Sequence, residues 1–325
     1  MLLDSPTSSF TPTASFADRL VLRQRRLGHP LCIGLDPHLD RIPPLFRRGA
    51  MTHDQPSTVD AVVDFLEAIL DRVAGRVAIV KPQIALFEQL GWRGLEALER
   101  IVARARAADL MVLLDAKRGD IGSTAEGYAR AYFGADAGLR ADALTVSPYL
   151  GLDTLQPFFD RAGETDAGVF VLVRTSNRGA GALQELAVRD PAAGPKAKGQ
   201  PLYLHLAAQL ADAVAARRGD TGWSSIGVVV GAGETDAARR VRAALPHALF
   251  LVPGYGHQGG RAAAAVRGFE PGPAGMLEGG LVNAARSVLF PSGGDTDDAP
   301  RWERAIDDAL ERAIDALGSA VGTVR

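Results

Sequence analysis

The chain has 325 residues, 47% hydrophobic and 23% charged, the balance of an ordinary globular protein with room for one large α/β domain or two smaller ones. Its formal net charge of -2 gives no electrostatic reason to expect nucleic acid or an anionic membrane as partner. A single cysteine, Cys32, excludes a disulfide framework and a CxxC zinc site and fits a reducing, cytoplasmic setting, and no apolar stretch reaches the roughly 18 residues of a spanning helix.

Residues 1–20, MLLDSPTSSFTPTASFADRL, lack the basic start and apolar core of a secretory signal and are expected to be a flexible lead-in. Residues 21–325 then read as one domain. Short runs rich in Val, Ile and Leu predict strands at Leu31–Asp36, Val77–Lys81, Met111–Lys117, Ala143–Pro148, Gly168–Ser176, Ile226–Ala232, Leu249–Gly254 and Leu281–Arg286. Helical patterns lie between them. Val59, Val62, Val63, Leu66, Ile69, Leu70 and Val73 form one core-facing stripe, and Leu95, Leu98, Ile101, Val102 and Ala105 another. Strand and helix alternating about eight times is the arithmetic of a closed (β/α)8 TIM barrel, although periodicity also admits a doubly wound open sheet. Two insertions break the rhythm, near 37–56 and 177–201. The tract from Arg189 to Gln200, with its prolines and lysines, reads as a solvated excursion.

The strand ends carry the charges. Asp36 closes IGLD, Lys81 closes AIVK, Asp115 and Lys117 sit in VLLDAK, and Asp120 follows three residues later. Strand alternation points Asp115 and Lys117 to the same face. Isolated charges ending apolar strands are costly, so three carboxylates and two lysines on one rim must pair. Spacing alone leaves a structural ion-pair network and a catalytic array about equally probable. A glycine-rich stretch, Pro253 to Gly260, surrounds Gln258 with Gly254, Gly256, Gly259 and Gly260 before a helix-like run from Arg261. Such a loop lets backbone N–H groups approach an anion, and Arg286 at the eighth strand end adds a bidentate partner for phosphate. His38 and His257 lack metal-ligand spacing and read as hydrogen-bonding or solvated groups.

LLDAKRGDIGST at 113–124 resembles the D-x-K-x-x-D signature of the orotidine monophosphate decarboxylases. IGLDPH, IVKPQ, RTSN, PGYGHQGG and NAARSVL resemble that family's other segments in order and spacing, over roughly residues 30–290. GLDPH, TSN…LQ and PLY resemble its longer bacterial branch. Ala285 stands where many relatives carry Gly. The resemblance implies a TIM barrel that decarboxylates orotidine 5'-phosphate to uridine 5'-phosphate without cofactor or metal. It implies that Lys117 stabilises and protonates a carbanion, that Asp115 holds Lys117, and that Lys81 and Asp36 link the array to the ribose. By the same resemblance, Asp120 and Thr124 reach a partner's site in a homodimer, Ser176 meets the pyrimidine, and Pro253, Gln258 and Arg286 hold the phosphate end. Two rivals share parts of this pattern. One is a magnesium-dependent keto-gulonate-phosphate decarboxylase or hexulose-phosphate synthase, whose cation Lys81 would oppose. The other is a catalytically silent nucleotide-binding barrel.

Overall fold

The computed structural model describes residues 14–189, 199–233, 235–256, 261–273 and 275–322. Eight parallel strands run in chain order: β1 (Leu31–Leu35), β2 (Ile79–Pro82), β3 (Met111–Arg118), β4 (Ala143–Val146), β5 (Gly168–Arg174), β6 (Ser224–Val230), β7 (Ala248–Val252) and β8 (Gly280–Ala284). Each pairs with its neighbour, and β8 returns to β1 with Leu31 facing Val282 and Ile33 facing Ala284. The sheet is therefore a closed (β/α)8 barrel, and the open-sheet alternative is excluded. Every expected strand is present, with ends within two residues of those expected.

Alternation along the strands separates two cores. Cys32, Ile79, Met111, Leu113, Ala143, Phe170, Leu249, Leu251 and Leu281 pack together inside the barrel. Leu31, Ile33, Leu35, Val80, Val112, Leu114 and Leu144 pack outward against the helices. Residues 34, 36, 81, 115, 117, 145 and 283 continue the inward parity of their strands, so the charges of the strand ends crown the interior column.

The helix Pro56–Val73 buries its expected stripe, with Val59 only half-buried at its start. In Gly91–Ala107 the buried face is Gly94, Ala97, Leu98, Ile101, Val102 and Ala105, while Leu95 is exposed. The helix crosses so close to Phe87 that a Cβ at position 94 would lie 1.9 Å from its carbonyl oxygen, which places a glycine rather than a leucine at the contact. The insertion near 37–56 is anchored by Phe46, whose ring packs on Phe65 and Trp302. Of the insertion near 177–201, Ala180–Gln184 is helical and Ala187–Val188 pairs with Gln200–Pro201; residues 190–198 of the expected excursion lie outside the described residues.

The lead-in expected over residues 1–20 is corrected from Phe16 onward. Phe16–Leu27 is a helix, with Ser15 Oγ accepting from the Asp18 backbone N–H at 3.2 Å as its N-cap. Phe16, Ala17, Leu20 and Val21 are buried in the interior cluster, and Phe16 meets Phe170 edge-on with ring centroids 6.0 Å apart. Gly168 makes room, since a Cβ there would lie 2.4 Å from the Phe16 ring. The helix closes the end of the barrel opposite the strand C-termini. Replacing Phe16 with Ala should lower unfolding free energy by about 3–5 kcal/mol. The same variant should keep the catalytic constants of its folded fraction, because the ring lies at the other end; urea titration and steady-state kinetics on one preparation test both.

Candidate active site

At the C-terminal rim, Lys81, Asp115 and Lys117 form one charge cluster. Asp115 accepts from Lys81 Nζ at 2.8 Å and from Lys117 Nζ at 2.6 Å. Gln83 Nε2 donates to it at 3.0 Å and Thr145 Oγ1 at 2.9 Å, so both carboxylate oxygens are saturated. Lys81 and Asp115 are buried, whereas 46% of the Lys117 side chain is exposed toward the cavity. Burial works against the charged form of Asp115, but the two ammonium groups and their hydrogen bonds outweigh it and hold the carboxyl well below the usual carboxylate range. Burial likewise opposes the charge of Lys81, and Asp115 and Asp36 raise that ammonium above the ordinary lysine range.

The backbone is bent to present these groups. Between Leu114, facing Leu144, and Arg118, facing Val146, three residues of β3 stand opposite Thr145 alone. Lys117 takes a left-handed conformation, φ 49°, that costs a non-glycine residue energy. Its N–H donates to Thr145 Oγ1 at 2.9 Å.

A cavity of about 480 Å³ opens over this cluster. Asp36, Lys81, Gln83, Asp115 and Lys117 line one side, and Pro253, Gly254, Tyr255 and Arg286 another, with Leu172, Val229 and Leu251 as apolar wall. Ser176 lines it just past β5, held where a Cβ on Gly231 would come within 2.9 Å of its own Cβ. Gly254 and Gly256 have φ of 90° and 83°, a conformation open to glycine, and Gly256 packs against Ser287. Arg286 opens the short helix Arg286–Leu289 rather than ending β8, and lines the cavity from there. Gln258, with His257, Gly259 and Gly260, lies outside the described residues. His38 lines a separate hollow with Leu39, Arg47 and His53.

Asp120 and Thr124 are not among the residues lining this cavity. Asp120 accepts from the Ile121 N–H at 2.8 Å, and Thr124 is exposed in the first turn of the helix Gly122–Tyr132. Gln83, Thr145, Gln184, Tyr255 and Asn283 belong to the site and were given no role from sequence. Gln184, inside the second insertion, accepts from the Thr175 N–H at 2.9 Å and donates to its hydroxyl at 2.8 Å, tying that segment to the cavity wall. Asn283 Oδ1 and Asp36 Oδ1 are buried without a hydrogen-bond partner among the described residues, and both residues line the cavity. Ala285 needs no left-handed backbone, with φ -121°; its Cβ is accommodated by Gly34, where a second Cβ would approach within 2.7 Å.

A parallel barrel with a saturated lysine–carboxylate cluster beside an anion-suited glycine loop is an enzyme site of the phosphate-binding barrel class. Residues 29–290 match the sequence profile of the orotidine 5'-phosphate decarboxylase / HUMPS family, and the chain belongs to that family. It is 40% identical over 280 residues to the orotidine 5'-phosphate decarboxylase of Rhodopirellula baltica, covering 85% of this chain and 88% of that one. It is 39% identical over 294 residues to that of Roseiflexus castenholzii, covering 90% and 94%. The fold superposes on the structure of Leishmania donovani OMP decarboxylase with a TM-score of 0.68 at 31% identity, covering 94% and 99% of the two chains.

Asp115→Asn should lower unfolding free energy by roughly 3–5 kcal/mol, because it leaves Lys81 buried without its countercharge. A carboxyl whose folded pKa is depressed contributes stability above its unfolded value of about 3.9, lost as pH falls through the lower folded value. The raised Lys81 contributes below about 10.4 and loses its share above that. The gap between the unfolding free energies of wild type and variant should therefore hold from about pH 5 to about pH 7 and close progressively as pH falls below ~3.9 toward the lower folded value. A gap that widens in acid would refute this.

Proposed function

We propose that the chain decarboxylates orotidine 5'-phosphate to uridine 5'-phosphate without a cofactor, with Lys117 as the group that meets the reacting carbon. The observation that carries this reading is the saturated Asp115: it grips the Lys117 ammonium at 2.6 Å, with nearly half of that side chain free to touch substrate. The bond from C6 to the carboxylate breaks, carbon dioxide leaves, and the electron pair stays on C6. The Lys117 ammonium stabilises that pair by charge and then transfers a proton to it as general acid. Solvent returns the proton to the amine. Asp115 lies beside the departing carboxylate and fixes Lys117; Lys81 and Asp36 meet the ribose.

At the other side, Pro253, the glycines after it, Gln258 and Arg286 hold the phosphate, and Ser176 meets the pyrimidine. Burial raises the Tyr255 hydroxyl, so it stays a neutral donor next to that anion. Binding energy gathered at this remote group is available to orient the reacting ring.

The enzyme works as a cytoplasmic homodimer in this reading. Asp120 and Thr124 sit at the rim beside Ile121, which is 64% exposed, and Tyr149 and Leu150 nearby are exposed as well. Large apolar side chains at an exposed rim favour a covering partner, and Asp120 would extend the charge chain across that contact. Cys32 is a buried core thiol pushed up to about 12 by burial, inert to redox chemistry.

Loss of orotidine 5'-phosphate absorbance should proceed at full rate in EDTA, which separates this chemistry from the magnesium-dependent rival. Lys117→Ala should cut kcat by at least about a thousandfold while uridine 5'-phosphate still binds; an active variant removes Lys117 from its role. For the dimer, mixing inactive Lys117→Ala with inactive Asp120→Ala should recover activity. Each mixed dimer then holds one site with Lys117 from one chain and Asp120 from the other. No recovery on mixing would place Asp120 in its own chain's site or in none.

A further inference from the structure

Thr145 is fully buried and does not line the cavity, yet it touches both halves of the lysine–carboxylate pair. It is the one residue of β4 opposite the three-residue bulge Asp115–Ala116–Lys117. Where β3 leaves the ladder, the Lys117 N–H loses a strand carbonyl and finds the Thr145 hydroxyl instead at 2.9 Å. A hydroxyl has one proton. With its oxygen receiving the Lys117 N–H, that proton goes to Asp115 Oδ1 at 2.9 Å, the same oxygen that receives Lys117 Nζ at 2.6 Å. The backbone and the side chain of Lys117 are thus closed into one ring through Thr145 and Asp115.

We infer that Thr145 is the positioning residue of the site, the side chain that holds Lys117 in its left-handed backbone and aims its ammonium. The inference rests on the role proposed for Lys117. An ordinary strand residue at position 145 would satisfy neither group, and the β3 end would relax toward regular pairing. Relaxation moves Lys117 and loosens Asp115 together, so the chemical step suffers while the binding walls, built on β5, β7 and β8, stay put. Loss of a hydrogen bond to a charged group, with a backbone N–H left unmet, corresponds to roughly a ten- to hundredfold fall in kcat.

Two matched pairs test this: threonine against Thr145→Val, and Thr145→Ser against Thr145→Ala, each pair differing at the hydroxyl. Kinetics of orotidine 5'-phosphate turnover, binding of uridine 5'-phosphate and urea unfolding are read on all four. The hydroxyl-bearing proteins should keep kcat and the other two should lose it, with affinity for uridine 5'-phosphate unchanged. In the hydroxyl-free variants the loss should fall on kcat alone, and serine, which restores the hydroxyl, should restore kcat where alanine does not. If Thr145→Val does not fold, the serine–alanine pair asks the same question. Equal kcat within both pairs, or a fall in kcat matched by an equal loss of affinity for uridine 5'-phosphate, overturns the assignment. Lys117→Ala is measured alongside. Activity in that variant defeats the Lys117 reading and the Thr145 inference with it, whereas its loss beside unchanged Thr145 variants defeats the inference alone.

Discussion

A lysine ammonium with 4% of its side chain exposed cannot remain charged at the end of an apolar strand unless a carboxylate touches it, and that requirement on Lys81 organises the rim of this barrel. Asp115 answers it, and in doing so becomes a buried anion with four acceptor positions to fill. Lys117, Gln83 and Thr145 fill them from β3, from the residue after β2, and from β4. Where Asp115 and Lys117 face inward, β3 carries extra residues against β4, and the left-handed turn at Lys117 lies within that bulge. Each feature exists because the previous one would otherwise leave a polar group unmet in a low-dielectric place.

The cluster also bounds what it does chemically. Two unit charges about 4 Å apart at an effective dielectric near 20 interact by roughly 4 kcal/mol, against the roughly 8–23 kcal/mol that enzymes supply. Repulsion between Asp115 and a substrate carboxylate therefore falls short by itself. In the proposed reading, lysine stabilisation of the carbanion and binding energy at the phosphate end carry the rest, and the cavity uses both walls. The barrel supplies them from different strands, β1 to β3 for the charges and β7 to β8 for the anion, so each wall is built without disturbing the other.

How much of this was legible in the sequence follows the range of the interactions. The strands were, because a parallel strand buried on both faces is a local apolar run with a charge or proline at its end. Lys81, Asp115 and Lys117 were, because charge at such an end is conspicuous. Thr145 was not: a threonine inside ALTV is an ordinary strand residue until β3 bulges beside it, and the bulge is a relation between two strands. Asn283 and Gln83 are silent for the same reason. The helix Phe16–Leu27 was missed because Ser15 and Asp18, which cap it, merge into a serine- and threonine-rich stretch. Leu95 misled because helical period predicts an apolar face, while the approach of Phe87 selects a glycine for the contact.

The orphaned oxygens of Asp36 and Asn283 complete the logic. Among the described residues Thr58 Oγ1, Thr221 Oγ1 and Trp302 Nε1 are also buried without a partner, whereas the buried Arg242, whose guanidinium is brought down to about 9 by burial, reaches five backbone carbonyls. Asp36 and Asn283 differ from those three in being residues that line the cavity. In the proposed reading the ribose lies beside these two residues, and its hydroxyls are donors of the kind such acceptors lack. Cavity walls of this kind favour a hydroxyl-rich ligand over an apolar one of the same shape, since only the former relieves the unmet oxygens. In the proposed reading the polarity of this wall is thus what selects its ligand.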